Sequence, residues 1–263
     1  MSIWMFWVVC TGIALVAWMP AWYLVRRIWR NPGVVDVGWS LGVGLAAVAL
    51  AVYAGGAWPR RLLVAGLVGF WSMRLGGYLL AARIFRGEQD ARYQTLLARW
   101  GKNGERRLFA LFLAQGFLIG LFTLPLIPAL TAENGGVRWF DAAGAGLWLI
   151  ALAGESLADR QLAAWRRDPE NKGKVCTRGL WRYSRHPNYF FEWLHWWTYV
   201  LLGLGSSLWW LSFVGPVLMF LFLFQVTGIP YAEAQCLRSK GEAYRAYQAR
   251  TPAFFPWFPR RPQ

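Results

Sequence analysis

Cysteine, histidine and acidic side chains are scarce in this chain, and each scarcity excludes a class of protein. The three cysteines, Cys10, Cys176 and Cys236, are odd in number and far apart, so the sequence does not predict a disulfide framework. With two histidines and no CxxC or HExxH arrangement, it predicts no metal site either. Only 13 Asp and Glu residues oppose 28 Lys and Arg residues, which gives a formal net charge of +15. Whether that charge indicates nucleic acid or a membrane depends on where it lies along the chain.

Apolar and aromatic residues are abundant: 57% of the chain is hydrophobic, 16% is charged and 19 residues are Trp. The first apolar run has no basic segment before it and predicts a retained span, not a cleaved signal peptide. Seven runs approach the length that crosses a bilayer, at about 3–24, 34–55, 62–82, 108–129, 139–158, 190–205 and 209–229. We therefore predict an all-α fold, a polytopic helical membrane bundle with about seven spans in a single domain over residues 1–263. The sixth run is short, so the last two could form a hairpin that does not cross fully.

Most Lys and Arg residues follow the first, third, fifth and seventh runs, and few follow the second and fourth. By the positive-inside rule, this places the amino terminus outside and the basic segments and the carboxy terminus in the cytoplasm. The charge is therefore a topology signal. It predicts membrane lipids as partners and does not predict nucleic acid. The segments at about 83–107, 159–188 and 230–263 would form a cytoplasmic cap of loops over the bundle.

Glycine spacing in the second run admits two interpretations. Gly42, Gly44 and Ala47 form a GxGxxA match, which is a dinucleotide-binding fingerprint when it follows a strand. No strand pattern precedes it here. Gly38, Gly42 and Ala46 form a stripe of small residues at spacing four, the usual device for close helix packing in membranes. We therefore predict packing rather than a cofactor loop.

Polar side chains mark the end of the fifth run. Glu155, Asp159 and Arg166 share one face if the helix continues past the membrane surface. They indicate either a salt-bridged helix end or groups that hydrogen-bond a polar ligand. The basic segment that follows leads to Pro187, which suits the first turn of a helix. Arginines beside such a helix start predict a phosphate or pyrophosphate site: Arg182 and Arg185, with His186.

Ionisable groups continue into the apolar helices. Asn188, Glu192, His195 and Tyr199 fall on one helix face, as either a polar seam between helices or a face for a ligand. Three further groups lie in the second and third spans: Asp36, Arg74 and Tyr78. Asp36 and Arg74 form an ion pair or contribute to the same polar pocket, because all these groups fall in the cytoplasmic half of the predicted bundle.

The stretch GLWRYSRHPNYFFEW resembles the carboxy-terminal signature of the steroid 5-alpha-reductase-like membrane proteins, in particular the bacterial DUF1295 branch, and of the related sterol C14 reductases. DVGWSLG, RLGGYLLAARIFRGEQDARY and GEAYRAYQARTPAFFPWFP are similar to the same branch. The resemblance covers most of the chain. It implies a seven-helix bundle in the bacterial inner membrane in which NADPH lies under the cytoplasmic loops and reduces a carbon–carbon double bond conjugated to a ketone. The implied substrate is a lipid-like enone.

The resemblance also implies a cofactor part at about 155–263. Asp159 and Arg166 would contact the adenosine and phosphate part, with Arg178 and Arg185 as further phosphate contacts. Asn188 and Glu192 would hold the nicotinamide end. Other residues of the motif and the tail would line or close the site: Tyr183, His186, Glu233, Tyr244 and Arg250.

In the steroid 5-alpha-reductases, a Glu and a Tyr polarise the carbonyl, and the residues of this chain that match them best are Asp36 and Tyr78. Phe191 departs from the pattern, because a small Gly normally precedes the Glu. Its ring would narrow the cofactor pocket or face lipid. The RHP stretch is also similar to isoprenylcysteine carboxyl methyltransferases. An S-adenosylmethionine-dependent methyltransferase and a non-catalytic lipid-binding protein therefore remain alternatives to the reductase.

Overall fold

The computed structural model describes residues 1–132, 138–226 and 228–260, and every regular element in these ranges is a helix. In this part of the chain, six helical stretches are long and apolar enough to cross a membrane: Ile3–Trp29, Val34–Tyr53, Trp58–Phe85, Arg92–Thr131, Trp139–Arg167 and Trp209–Lys240. The all-α membrane bundle is therefore confirmed. The sixth predicted span, at about 190–205, is absent from this set because its helix, Pro187–Gly203, has 17 residues, and a bilayer core of about 30 Å needs about 20.

The chain divides into two compact units, of which the first comprises Met1–Asp141 and Tyr199–Gly215. Its helices are α1 Ile3–Ile13, α2 Met19–Trp29, α3 Val34–Tyr53, α4 Trp58–Leu80, α5 Ala91–Trp100, α6 Gly104–Thr123 and α7 Ile127–Thr131. A π-helical turn, Ala14–Trp18, joins α1 to α2. The centre of this unit is α3, which packs against α4 and α6.

Small residues allow α3 to approach its neighbours closely. A Cβ atom at Gly42 would lie 2.4 Å from Ile119 in α6 and 2.8 Å from Trp18. A Cβ atom at Gly38 would lie 2.7 Å from the Trp22 ring. Only a hydrogen fits at these two positions, so the prediction that the GxGxxA match serves helix packing is confirmed.

A buried ion pair fixes the starts of two helices in the first unit. The guanidinium of Arg60, in the first turn of α4, lies 3.0 Å from the Asp141 carboxylate. Their side chains are 2% and 0% exposed, and Arg60 also donates to the carbonyl of Leu202. Because both charges are withdrawn from water, each depends on the other, and the loss of either would leave an uncompensated buried charge.

The second unit comprises Ala142–Thr198 and Pro216–Gln263. The helices that supply it are α8 Trp139–Arg167, α9 Pro187–Gly203, α10 Val214–Leu221, α11 Ile229–Lys240 and α12 Glu242–Arg250. Two predictions are confirmed: α8 continues through Arg166, and α9 begins at Pro187. Between α11 and α12, Gly241 adopts a φ of 53°, which glycine tolerates at little cost.

Aromatic rings anchor the carboxy-terminal tail of the second unit. Phe254 is 2% exposed. Its ring lies 5.7 Å from Phe190 and 5.7 Å from Trp193, both in α9, and 5.0 Å from Phe224. Such edge-to-face contacts add specific geometry to the burial of apolar area. The tail is therefore part of the core of this unit, and it brings residues 250–260 against the turn that precedes α9.

Candidate functional site

The predicted polar stripe of α9 begins with a link to α8. The side-chain amide of Asn188 donates a hydrogen bond of 3.1 Å to Asp159. One turn later, Glu192 accepts a bond of 3.4 Å from the Trp196 indole. Asn188 and Glu192 are partly exposed, whereas His195 is 2% exposed. The stripe thus combines both predicted forms, an accessible polar edge at its start and a buried seam further along the helix.

Phe191, the unexpected residue of the motif, packs against α8. A Cβ atom at Gly154 would lie 2.4 Å from its ring atoms Cδ1 and Cε1. The missing side chain at Gly154 therefore makes room for the ring on α9. The contact thus places a large side chain on α9 opposite a glycine on α8.

The turn before α9 is sealed by the tail. Ser184 is 0% exposed; its hydroxyl donates to the carbonyl of Phe254 at 2.8 Å and accepts from the His186 backbone at 3.1 Å. The Trp257 backbone donates to the carbonyl of Tyr183 at 2.9 Å. His186 is 5% exposed. The turn that leads into this helix start is therefore held by the tail, and Ser184 and the His186 backbone already have protein partners.

Glu233 of α11 is the centre of this arrangement. Its carboxylate accepts hydrogen bonds from Arg185 at 2.6 Å and Gln248 at 2.8 Å, and lies 3.3 Å from the His186 ring. Arg185 also donates to the backbone carbonyls of Gln248, at 3.0 Å, and Thr251, at 2.8 Å, at the end of α12. A cation suits a helix carboxyl end, where carbonyls lack helical partners. Arg185 and Glu233 therefore hold the turn, α11 and α12 together.

Two buried tyrosines line the same region. Tyr247 donates to the carbonyls of Trp181 and, at 3.2 Å, Ser184. Burial raises the pKa of Tyr244, and the nearby charge of Glu233 raises it further. Burial likewise raises the pKa of Tyr247. Both phenols therefore stay protonated and act as hydrogen-bond donors over the whole ordinary pH range.

The other predicted cofactor residues are more accessible. Arg166 is exposed at the end of α8. Arg178 is exposed, with its guanidinium 5.4 Å from the centre of the Trp165 ring. Tyr183 is partly exposed, and its ring lies 5.8 Å from that of Phe258. Arg166 and Arg178 thus keep guanidinium groups available to an incoming anion, which Arg185 does not.

In the first unit, Asp36 has a phenol partner other than the predicted one. Its carboxylate accepts a hydrogen bond of 2.6 Å from Tyr93 and one of 3.0 Å from Arg92. Tyr93 is 6% exposed, whereas Tyr78 is 53% exposed and lies 6.0 Å from the Arg86 guanidinium. No described hydrogen bond joins Tyr78 to Asp36.

The loop before α5 supports this cluster. Asp90 accepts from the backbone of Arg92 at 2.9 Å and from the Arg83 guanidinium at 2.8 Å. Burial alone would raise the pKa of Asp90, but the hydrogen bonds from Arg92 and the charge of Arg83 outweigh it and hold that pKa below its usual range. Asp90 is therefore ionised and orients Arg92 towards Asp36.

Residues 22–251 match a family described as "Protein of unknown function (DUF1295)". The chain belongs to this family. No curated protein and no solved structure matches the chain. The matched region of this DUF1295 protein contains every predicted site residue, in both units. The family description names no activity, so the function rests on the chemistry of these residues.

Sequence reasoning missed three residues of this DUF1295 protein that the structure brings to the predicted groups: Tyr93, Arg92 and Gln248. Tyr93 and Arg92 lie in the stretch DARY. The sequence did contain one signal for them: the Asp36 carboxylate lies in the first turn of an apolar helix, where a buried charge needs hydrogen-bond donors. No local pattern indicates Gln248. Within the described ranges, no group of three or more His, Cys, Asp or Glu side chains could hold a metal ion.

Proposed function

We propose that this protein is an integral-membrane reductase that uses NADPH to reduce a conjugated carbon–carbon double bond in a steroid or isoprenoid lipid. The observation that carries the proposal is the hydrogen bond of 3.1 Å between Asn188 and Asp159, with Glu192 one turn further along α9. Amide and carboxylate groups are costly on apolar membrane helices and mark a functional site there. These are also the residues to which the resemblance assigns the two ends of the cofactor.

The residues of the second unit suit a dinucleotide. Asn188 and Glu192 can exchange hydrogen bonds with a carboxamide and a ribose, and the guanidiniums of Arg166 and Arg178 can donate hydrogen bonds to phosphate oxygens. Arg185, which the sequence assigned to phosphate, supports the site instead through Glu233. The Phe191 ring lies against Gly154, so it fills space between α8 and α9 rather than facing lipid alone.

NADPH would supply a hydride to the β-carbon of an enone. Negative charge then develops on the carbonyl oxygen, and a hydrogen-bond donor at that oxygen lowers the barrier. We assign this donor to Tyr93 rather than Tyr78, because the Tyr93 hydroxyl is the one that Asp36 binds, at 2.6 Å. The phenol has a single hydrogen, so Tyr93 would turn it from Asp36 to the carbonyl oxygen when the substrate binds. Asp36 and Arg92 would orient the phenol, and a proton taken from water at the α-carbon would complete the saturated ketone and leave NADP⁺.

Binding of NADPH to the purified protein in a neutral detergent tests the proposal. The 19 Trp residues serve as donors for energy transfer to the nicotinamide ring, so no label is needed. Asn188→Ala and Glu192→Gln should each weaken NADPH binding by about tenfold, which corresponds to roughly 1.4 kcal/mol. Glu242→Gln is the matched control, since Glu242 is 84% exposed and pairs only with Arg245 among its described contacts.

A thermal melt of each variant separates binding from folding. Loss of NADPH binding at unchanged melting temperature supports the proposal, as does NADPH oxidation with 3-oxo-4-ene steroids or isoprenoid enones. Tight binding of S-adenosylmethionine without NADPH binding would refute it and favour the methyltransferase. Binding of neither cofactor would favour the non-catalytic lipid-binding protein.

A further inference from the structure

A cleft of about 620 Å³ lies in the second unit, on the side of α12 that faces the carboxy-terminal tail. Three arginines line it, and each comes from a different wall. Arg182 ends the short helical turn Gly179–Arg182, Arg250 ends α12, and Arg260 lies in the tail. The wall residues that matter besides these are Thr177, Tyr247 and Phe258.

These arginines differ from Arg185 and Arg245 because the described part of the chain gives them no acidic partner. Arg185 pairs with Glu233 and Arg245 pairs with Glu242, whereas no ion pair or side-chain hydrogen bond of the three cleft arginines is found within residues 138–226 and 228–260. Three like charges around one concave surface create a positive potential that the protein itself does not neutralise.

The backbone holds the three walls in place. The backbone N–H of Arg260 donates to the carbonyl of Arg250 at 2.9 Å, and that of Trp257 donates to Tyr183 at 2.9 Å. Tyr247 forms the floor and donates to the carbonyls of Trp181 and, at 3.2 Å, Ser184. The frame therefore fixes the backbone positions from which the three exposed arginines extend, and a bound anion would order their guanidinium groups.

The remaining surface of the cleft suits an anion with an attached apolar or planar part. Thr177 contributes a hydroxyl, and Phe258 contributes a ring beside the basic edge. Ala243 and Ala246 keep the α12 wall shallow. Guanidinium groups bind phosphate oxygens in pairs of parallel hydrogen bonds, so three of them can surround one phosphate or a pyrophosphate.

We propose that the cleft formed by Arg182, Arg250 and Arg260 is a binding site for a phosphate-bearing ligand. The ligand is either a phosphorylated small molecule from the aqueous phase or the headgroup of an anionic phospholipid, and both present the same phosphate chemistry. The proposal does not depend on the reductase activity. It follows from the geometry and charge of the cleft alone.

Inorganic pyrophosphate is the probe for a phosphorylated small molecule from the aqueous phase. Isothermal titration of the full-length, delipidated protein in a neutral detergent should detect binding that weakens steeply with salt. The triple variant R182Q/R250Q/R260Q should weaken it at least tenfold. The control R99Q/R106Q/R107Q removes three exposed arginines from the first unit, so it lowers the net charge equally and should leave binding unchanged.

Lipid nanodiscs test whether the phosphate belongs to the headgroup of an anionic phospholipid. If pyrophosphate does not bind, native mass spectrometry should show phosphatidylglycerol retained by the wild-type protein and by the control, and lost from the triple variant. Phosphatidylcholine nanodiscs set the background. Equal binding of both probes by the triple variant and the control, or binding of neither probe by the wild type, overturns the proposal. The single variants R182K, R250K and R260K keep the positive charge and are less disruptive to folding. Each should weaken binding less than the triple variant R182Q/R250Q/R260Q does.

Because pyrophosphate has no nicotinamide, this experiment and the NADPH experiment can fail independently. Loss of NADPH binding in Asn188→Ala with intact pyrophosphate binding would leave the cleft assignment in place. Loss of pyrophosphate binding in R182Q/R250Q/R260Q with intact NADPH binding would instead show that the cleft is separate from the cofactor site.

Discussion

Removal of the Glu233 carboxylate distinguishes a structural clamp from a cofactor contact. The side chain is 16% exposed and accepts hydrogen bonds of 2.6 Å from Arg185 and 2.8 Å from Gln248, with the His186 ring at 3.3 Å. A hydrogen bond that involves a charged group contributes about 1.5–3 kcal/mol to stability. Breaking a largely buried ion pair by removing one partner costs about 3–5 kcal/mol, because the other charge stays behind.

Glu233→Ala should therefore lower the free energy of unfolding by about 3–5 kcal/mol. Glu233→Gln keeps one oxygen acceptor and should lose roughly half of that. Denaturant titration in a mild detergent, followed by near-ultraviolet circular dichroism, measures both. Limited proteolysis should show the tail after Thr251 released first, because Arg185 binds the carbonyl of Thr251 at 2.8 Å.

The control for this prediction is Glu242→Ala. Glu242 is 84% exposed and its pair with Arg245 lies on the surface, so its loss should change stability by less than about 0.5 kcal/mol. Wild-type stability of Glu233→Ala together with lost NADPH binding would refute the structural role of Glu233. It would return this residue to the cofactor site that the sequence predicted.

Three further substitutions test contacts within single units. Gly154→Ala places a methyl group 2.4 Å from the Phe191 ring and should cost about 1–3 kcal/mol in a melt, with most of the loss restored by adding Phe191→Ala. Asp141→Asn leaves the buried Arg60 charge without its partner and should destabilise the protein by about 3–5 kcal/mol, whereas the same change at an exposed aspartate should be nearly silent. Gly42→Leu should prevent close packing of α3 and reduce the yield of folded protein in a detergent size-exclusion assay, because even a Cβ atom meets a neighbour at 2.4 Å.

Local features of the fold were predictable from the sequence because each depends on nearby residues. Pro187 marked the start of α9, and the periodic placement of Glu155, Asp159 and Arg166 indicated a helix that continues past the membrane surface. The glycine stripe of α3 indicated close packing for a similar reason, since its spacing alone places the small residues on one face. The count of spans was less secure, since it depends on α9, whose 17 residues fall just short of a bilayer core.

Long-range partners were not predictable in the same way. Asp36 and Tyr93 are 57 positions apart, and Arg185 and Glu233 are 48 apart. Helical periodicity compares residues within one helix, so it drew attention to Arg74 and Tyr78, which lie on one face of α4. Periodicity carries no information about which distant segment of the chain contacts a given carboxylate, such as that of Asp36. The contact between Phe191 and Gly154 shows the same limit, because nothing in the sequence of α9 indicates which residue of α8 lies against the ring.

The basic residues that set the formal charge of +15 have separate tasks. Arg60 and Arg185 are withdrawn from solvent and bind carboxylates, so they stabilise the fold whichever way the protein lies in the membrane. Arg182, Arg250 and Arg260 have no described acidic partner and line one cleft, whose walls are joined by backbone hydrogen bonds. A positive-inside bias alone does not explain why these three residues lie around the same cleft. It follows that a substitution in the RHP motif cannot by itself locate a cofactor. Loss of activity after a change at Arg185 is expected from loss of the clamp, and only a binding measurement at preserved stability separates the two.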